Sequence, residues 1–369
     1  MFNPIQLSQI TFDAHDPEGG NFGDLPNWNL SDLYPTTDGK EISTDLENLE
    51  KNCGSFAADY QGQLDGLTSD GLLNCIERYE DIQNIAGRIM SFAGLRYYQN
   101  TTDSERSKFM ADMQAKITNF TTPLVFFSIE INSIDDKVIT KLLNSNEKLA
   151  RYKPILDNLR KMKPHQLSDE MEQFLHDQSV IGSAAWNRLF DETMAALTFN
   201  VEGKVLNLEA TLNLLSDPNR AIREKGTHAL TKVFSKNISL FSRITNTLAK
   251  EKEIEDRWRK MPTPQYGRHL ANQVEPEVVE ALRNAVVAAY PKLSHRYYAL
   301  KAKWMGLETL EVWDRNAPLN GEDSANIQWE DAQKMVMEAY ADFSPKMALL
   351  AEPFFTKGWI DAGLKPGKA

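Results

Sequence analysis

Cysteine is scarce in this chain of 369 residues, which contains only Cys53 and Cys75. Because the two are far apart and neither belongs to a CxxC pair, the sequence indicates neither a disulfide framework nor a structural zinc site. Two unpaired thiols are typical of a reducing compartment, so the sequence predicts a cytoplasmic location.

Long apolar runs are missing as well. No segment approaches the roughly 18 consecutive apolar residues that a spanning helix needs. The first residues, "MFNPIQLSQITFDAHDPEGG", have neither the basic start nor the apolar run of a secretory signal. The sequence therefore predicts neither a membrane span nor export.

Basic residues are outnumbered, with 41 Lys and Arg against 52 Asp and Glu, which gives a formal net charge of −11. Such a surface repels a phosphate backbone or an anionic membrane unless a local basic patch reverses the sign. The basic cluster "RWRK" at 257–260 directly follows a run of acidic side chains. We therefore expect no nucleic-acid partner and no membrane partner.

Recognisable catalytic motifs are also absent. The sequence contains no GxGxxG, no GxSxG and no HExxH. Glu172 with His176 and Glu224 with His228 are spaced to share a helix face, but an acid and a base four residues apart are common on any solvated helix. The residues alone indicate no catalytic group and no metal ligand in this chain.

Helical periodicity dominates after an irregular lead-in over residues 1–40. In the segment 72–95 apolar residues recur every three or four positions, which is typical of an amphipathic helix. A second stripe runs through 109–131, where Pro123 should interrupt or kink the helix. The short polar joints between such segments predict an antiparallel helical architecture.

Two breaks in this pattern fall after residue 195. Apolar residues alternate on both sides of Glu202-Gly203, which predicts a hairpin of 197–201 with 204–208 that sets Phe199 opposite Leu206. A second short extended run is expected between Gly306 and Pro318. The predicted fold class is mainly α with a small β-hairpin and short strands after residue 195.

These breaks suggest a domain boundary, with an N-terminal helical domain over 1–190 and a second domain over 195–369. Within the second, a helix should start at Glu275-Pro276 and end or kink at Pro291. Its buried stripe should comprise Val278, Val279, Leu282 and Val286. The tryptophans at 258, 304, 313 and 359 are expected to be core anchors.

Six blocks, in this order along the chain, resemble oligoendopeptidase F, the bacterial branch of the thimet-oligopeptidase-like zinc peptidases. They are "WNLSDLYP" at 28–35, "NTLAKEKEIEDRWR" at 246–259, "ANQVEPEVVEALRNAV" at 271–286, "SHRYYALKAKWMGL" at 294–307, "VWDRNAPL" at 312–319 and "GWIDAGLKPGKA" at 358–369. In that family the last block runs into a Gly-rich stretch shortly before the HExxH helix.

The resemblance implies a multi-helix peptidase scaffold that cleaves oligopeptides in a deep cleft. It implies one zinc ion, held by the two histidines of HExxH and a downstream Glu, with the motif Glu activating the bound water. All these residues are expected beyond residue 369. Residues 195–369 would then be the first part of the catalytic domain, inactive alone. For lack of partners, the apolar knot of Trp359, Ile360 and Leu364 would be exposed or covered by a neighbouring molecule.

Three residues are candidates for the wall of the substrate cleft: Asp314, Arg315 and His295. Each has a structural alternative, because an Asp-Arg pair can fix a turn and a histidine between apolar residues can lie at the edge of a core. The function also has an alternative, a non-catalytic helical binding protein derived from the same fold. An HExxH in frame after codon 369 would decide for the peptidase.

Overall fold

The computed structural model describes residues 11–12, 22–319, 327–363 and 367–368. Within these ranges nine α-helices precede the hairpin: α1 Lys40–Tyr60, α2 Ser69–Tyr98, α3 Ser104–Thr121, α4 Val125–Ser133, α5 Asp136–Ser145, α6 Glu147–Ala150, α7 Lys153–Arg160, α8 Asp169–Gln178 and α9 Ser183–Ala196. Eight described helices follow it: α10 Leu208–Asn213, α11 Arg220–Lys236, α12 Ile238–Trp258, α13 Tyr266–Ala271, α14 Pro276–Ala289, α15 Ser294–Trp304, α16 Trp329–Phe343 and α17 Pro345–Thr356.

The mainly α fold class is thus confirmed. Four short strands accompany the helices in the part of the chain that the structure describes: β1 Thr11–Phe12, β2 Leu25–Pro26, β3 Phe199–Val201 and β4 Lys204–Leu206. The antiparallel pair of β1 and β2 lies in the lead-in, where the sequence predicted irregular chain. Across the described ranges no helix is long and apolar enough to cross a membrane.

The largest core lies among α1 to α7. Helix α2 begins at a capped end, where the Thr68 side chain accepts a hydrogen bond from the Gly71 N–H at 3.1 Å. Its predicted stripe faces this core, and Phe56 of α1 is the aromatic centre, packed against Tyr79, Phe126 and Phe127. The apolar periodicity of 72–95 is therefore confirmed as a buried face.

Pro123 interrupts the second stripe as predicted. The chain passes from α3 into a short 3₁₀ turn, Thr122–Leu124, before it continues as α4. Met113 and Ile117 before the turn and Ile131 after it are all buried in the same core. The proline interrupts the helix, but apolar residues on both sides of the turn remain in the core.

The predicted hairpin is confirmed in position and register. Phe199 pairs with Leu206, and the ladder covers Phe199–Val201 and Lys204–Leu206, shorter than the predicted strands. Both turn residues adopt positive φ, 53° at Glu202 and 88° at Gly203. A two-residue turn of this kind matches the twist of the flanking strands and favours glycine. Phe199 is fully buried in a second, smaller core against α11.

The second predicted extended run is wrong. Gly306, with φ of 69°, does end α15, but the chain between it and Pro318 forms a 3₁₀ turn, Val312–Asp314, instead of a strand. The Asp314 side chain accepts a hydrogen bond from the Glu311 N–H at 3.0 Å. This reciprocal capping gives the segment local hydrogen bonds, so it needs no partner strand.

Helix α14 begins at Pro276 and ends before Pro291, as predicted, but its expected buried stripe is exposed. Val278 and Leu282 are 56% and 65% exposed, because no described element packs extensively over this face. The prediction of tryptophan anchors is likewise wrong for Trp258 and Trp304, both more than half exposed. Periodicity identified the apolar face correctly but could not say whether a neighbour covers it.

The final segment of the chain docks on its beginning. The Asn29 N–H donates to the Gly358 oxygen at 2.7 Å, and the Ala362 N–H donates to the Pro26 oxygen at 2.8 Å. The indole N–H of Trp359 donates to Asp32 at 3.1 Å, although 38% of this side chain stays exposed. The predicted knot therefore has partners in the chain itself, which the sequence analysis missed; its member at position 364 lies outside the described residues.

Candidate functional site: a cavity along helix α12

A cavity of about 1590 Å³ lies between α12 and the helices that precede the hairpin. Helices α2, α3, α4, α8 and α9 supply one wall. Helix α12, from Ser239 to Trp258, and the adjoining Arg259 supply the other. At a rise of 1.5 Å per residue, this face of α12 is about 30 Å long. The cavity therefore extends over the whole length of that helix.

The lining changes character along α12. Toward the start of the helix the cavity side chains are polar, with Ser242, Arg243 and Asn246. Toward its end the apolar Ile254 and Trp258 lie among charged residues, Lys250, Glu251, Glu255 and Arg259. The opposite wall mixes apolar residues such as Met90 with polar ones. Concave sites that combine apolar area with a few polar groups are typical of ligand binding.

An ion-pair network fixes the end of α12 to α8. Arg259 donates to both carboxylate oxygens of Glu172, at 2.7 and 2.9 Å, and to Glu255 at 2.7 Å. Burial alone raises the pKa of Glu172, but the hydrogen bonds from Arg259 and from the Leu167 N–H outweigh it and hold the pKa below its ordinary value. Glu172 is therefore ionised and engaged in structure.

The backbone at Arg259 is held as well. Its carbonyl oxygen lies 2.9 Å from Nδ1 of His165, a buried histidine whose ring packs edge-on to Tyr266. Since the acceptor is a carbonyl, Nδ1 carries the proton in this contact. His165, one of the six histidines, is therefore a structural residue at the end of the cavity wall.

A second contact joins α12 to the start of α9. Oε1 of Glu251 accepts a hydrogen bond from the Ser183 N–H at 3.1 Å, which places a carboxylate at a helix N-terminus, where the helix dipole favours it. Gly182 permits this approach, because a Cβ there would lie 2.5 Å from the same oxygen. The glycine thus allows α9 and α12 to meet at the cavity.

The two Glu–His pairs of the sequence analysis make different contacts in the structure. Nε2 of His176 lies 3.2 Å from the Thr121 hydroxyl, while Glu172 on the same helix binds Arg259. His228 lies 3.6 Å from Glu224 on an exposed face. The Glu224–His228 pair therefore fits the helix-surface alternative, whereas Glu172 belongs to the ion-pair network at the end of α12.

The zinc implied by the resemblance finds no ligand set in the parts of the chain that the structure describes. Within those ranges no group of three or more His, Cys, Asp or Glu side chains converges on one point. A catalytic zinc site needs three protein ligands around the ion. That the ligands lie beyond residue 369 stays a prediction.

Asp314 lies away from the cavity, fully buried between α11 and the 306–319 segment. It binds Arg220 at 2.9 Å and Arg223 at 3.0 Å, and Arg223 is itself buried. Burial alone raises the pKa of Asp314, but hydrogen bonds from Arg220, the Glu311 N–H and Arg223 lower it to about 2. This geometry fits the structural alternative, an Asp that fixes a turn.

Arg315 and His295 are exposed, and the structure brings neither of them to the cavity along α12. The Arg315 carbonyl accepts a hydrogen bond from Nζ of Lys301 at 2.8 Å, and its side chain borders a smaller pocket of about 350 Å³ beside Trp313. The His295 ring lies 6.2 Å from that of Tyr290. A role for these residues in a substrate cleft stays a prediction.

The sequence analysis missed α12 as the cavity wall, although a signal was present. Ser239, Ser242, Asn246 and Lys250 recur every three or four residues, so polar side chains share one helix face between apolar positions. A polar stripe on a long helix in a mainly α protein is compatible with a wet groove as well as with the outer surface.

Comparison with known proteins connects this fold to a family. A family model described as Oligopeptidase F matches residues 130–199. The chain is 24% identical over 352 residues to the Group B oligopeptidase PepB of Streptococcus agalactiae, and 23% identical over 356 residues to the oligopeptidase PepF of Bacillus subtilis. Each match covers 92% of this chain but only 57% and 51%, respectively, of the relative.

Solved structures share the fold. The crystal structure of oligoendopeptidase-F from Enterococcus faecium superposes with a TM-score of 0.68 at 20% identity, over 87% of this chain and 66% of that one. PZ peptidase A superposes with a TM-score of 0.67 at 12% identity, over 92% of this chain and 57% of that one. Together the family match, the curated relatives and the shared fold confirm that this chain resembles the oligoendopeptidase F family.

Proposed function

We propose that this chain forms the peptide-binding front part of a zinc-dependent oligoendopeptidase that hydrolyses short peptides in the cytoplasm. The names of the relatives support a peptidase, and the cavity along α12 is the observation that carries the proposal for this chain. About 30 Å of helix face accommodates an extended peptide of about nine residues at roughly 3.3 Å per residue. That length corresponds to an oligopeptide.

The role proposed for the chain's own residues is to bind and orient the peptide. Side chains such as Ser242, Asn246 and Thr247 can exchange hydrogen bonds with a peptide backbone, and Ile254 and Trp258 offer apolar contact to its side chains. The described residues offer no ligand set for zinc. The hydrolytic step is therefore assigned to residues outside them, and 195–369 is proposed as the first part of the catalytic domain.

The test compares residues 1–369 with a protein extended by the downstream coding sequence. We expect the extended protein to contain stoichiometric zinc by elemental analysis and to cleave a fluorogenic oligopeptide in a chelator-sensitive way. The short chain should bind the peptide without zinc and without turnover.

Two outcomes would contradict this proposal. Stoichiometric zinc with turnover in the short chain would mean that its own side chains assemble a metal site. A downstream sequence with no HExxH, combined with peptide binding by the short chain, would instead support the alternative of a non-catalytic binding protein.

A further inference from the structure

The charged residues that line the cavity are almost all neutralised within the chain. Glu172 and Glu255 bind Arg259, and Glu251 binds the N-terminus of α9. Lys250 lies 2.6 Å from Glu253 of its own helix. These groups offer a ligand little free charge, because each already has a partner of opposite sign.

Arg243 differs from them. It lines the cavity from the first half of α12, and no hydrogen bond or ion pair joins its side chain to any other residue in the described ranges. Its neighbours along the same face are Ser239, Ser242, Asn246 and Thr247, all polar and uncharged. The first half of the groove therefore contains one unmatched positive charge.

From this geometry we propose that the cavity prefers peptides that place a carboxylate on Arg243. The inference rests on the proposed function, that the cavity binds peptides. A planar guanidinium binds a carboxylate through two parallel hydrogen bonds, and it retains its charge at any physiological pH. The carboxylate is either the C-terminus of the peptide or an acidic side chain.

The other half of α12 adds a requirement on spacing. Ile254 and Trp258 follow Arg243 by 11 and 15 residues, which places them about 16 and 22 Å farther along the helix. An extended peptide covers these distances in about five to seven residues. The preferred peptide therefore carries an apolar or aromatic side chain about five to seven positions from its carboxylate.

Binding of labelled nonapeptides to residues 1–369, measured by fluorescence anisotropy, tests this inference. The set has an aromatic residue six positions from the C-terminus and differs only in the anionic group: a free C-terminal carboxylate, a C-terminal amide, or the amide with a Glu in the last position. A fourth peptide keeps the free carboxylate but moves the aromatic residue to two positions from it.

The variant is Arg243→Gln, which keeps a polar side chain and removes the charge. We expect this substitution to weaken binding of the free-carboxylate peptide about tenfold, the value of one charge-assisted contact. Binding of the amide peptide should not change. If the peptide amide that ends in Glu binds as tightly as the peptide with the free C-terminal carboxylate, Arg243 also binds side-chain carboxylates. The peptide with the shifted aromatic residue should bind more weakly to the wild-type chain.

Arg296→Gln is the matched control, because Arg296 is an exposed arginine of α15 that does not line the cavity. It should leave all affinities unchanged. Equal affinity of the wild-type chain for acid and amide, or equal weakening of both by Arg243→Gln, would overturn the inference. Either result leaves peptide binding, and therefore the proposed function, intact. If no peptide binds the wild-type chain, both the carboxylate preference and the proposed function are overturned.

Discussion

Helices α2 and α14 have the same kind of apolar periodicity and very different surroundings. Helix α2 buries residues along its whole length, from Leu72 to Tyr97, whereas α14 buries none. The difference does not come from the helices themselves, since both begin at favourable positions, a Thr cap in α2 and Pro276 in α14. It comes from whether neighbours cover the apolar face, and burial of that face supplies most of the stability of a helix in a protein.

The region around the hairpin is held together in another way. Beyond the hairpin, the buried apolar cluster is small, with Phe199, Ala229 and Leu230 at its centre. Asp314 and Arg223 form a buried ion pair, and the buried Lys301 donates a hydrogen bond to the Arg315 carbonyl oxygen. The front of the chain thus depends on apolar burial, whereas the hairpin region depends also on a few charged contacts, in which the loss of one partner is costly.

The largest expected effect concerns the front core. Phe56→Ala should lower the free energy of unfolding by about 3–5 kcal/mol, because it removes a fully buried ring and leaves a cavity among the surrounding aromatic rings. The matched substitution is Leu282→Ala in α14, where the side chain is 65% exposed; we expect a change within about 0.5 kcal/mol. Urea unfolding followed by circular dichroism measures both.

These two variants test whether the apolar face of α14 is uncovered, in contrast to the buried face of the front core. If Leu282→Ala destabilises the chain as much as Phe56→Ala does, then the exposed face of α14 is covered in solution, for example by a second copy of the chain. If the effect of Leu282→Ala depends on protein concentration, a second copy of the chain covers this face.

The buried ion pairs give the next largest effect. Asp314→Asn leaves Arg223 buried without its counter-charge and should lower the free energy of opening of residues 220–236 and 306–319 by about 3 kcal/mol. Hydrogen exchange measured by mass spectrometry reports this opening segment by segment. Asp342→Asn, at an exposed position of α16, is the control and should change nothing.

The same contact predicts a pH dependence. Because the folded-state pKa of Asp314 is about 2, below the ordinary 3.8, its contribution is fully present above pH 3.8 and is lost as the pH falls toward 2. The wild-type segment should therefore open more readily over that interval, and Asp314→Asn should lack this part of the dependence. An unchanged acid dependence in the variant would show that Asp314 is not the responsible group.

Local signals in the sequence predicted those features that depend on neighbours close in the chain. The turn at Glu202-Gly203 and the helix start at Pro276 needed no distant partner. Whether the α14 stripe is buried depends on whether a distant element covers it. The docking of Gly358 on Asn29 likewise joins residues that are far apart in the chain. Such contacts leave no periodic trace in the sequence, and for that reason the predictions about them failed.

The candidate site follows the same rule. The resemblance led to the proposal of a peptidase but not to the cavity along α12, because the cavity depends on how α8, α9 and α12 meet. The contacts that set this meeting are an Arg259–Glu172 pair 87 residues apart and a Glu251–Ser183 hydrogen bond 68 residues apart. Sequence spacing alone does not reveal pairs of this kind.

The junction that forms the cavity gives a smaller effect. Gly182→Ala should destabilise the docking of α9 on α12 by about 1 kcal/mol, because the new Cβ would displace the Glu251 carboxylate from the Ser183 N–H. Gly54→Ala, in the middle of α1 with open space around it, should instead stabilise by about 0.5–1 kcal/mol. Thermal unfolding measures both, and equal signs would contradict the role assigned to Gly182.

An effect of about the same size is expected at the contact between the two ends of the chain. Trp359→Phe keeps the aromatic packing on Phe354 but removes the indole N–H that donates to Asp32, so docking of the final segment should weaken by about 1 kcal/mol. Hydrogen exchange at residues 26–34 should rise about fivefold, whereas the front core stays protected. Trp304→Phe is the control, because that exposed ring makes no described hydrogen bond through its indole nitrogen. If both substitutions raise exchange equally, or neither does, the indole hydrogen bond does not hold the ends together and the backbone bonds from Asn29 and Ala362 suffice.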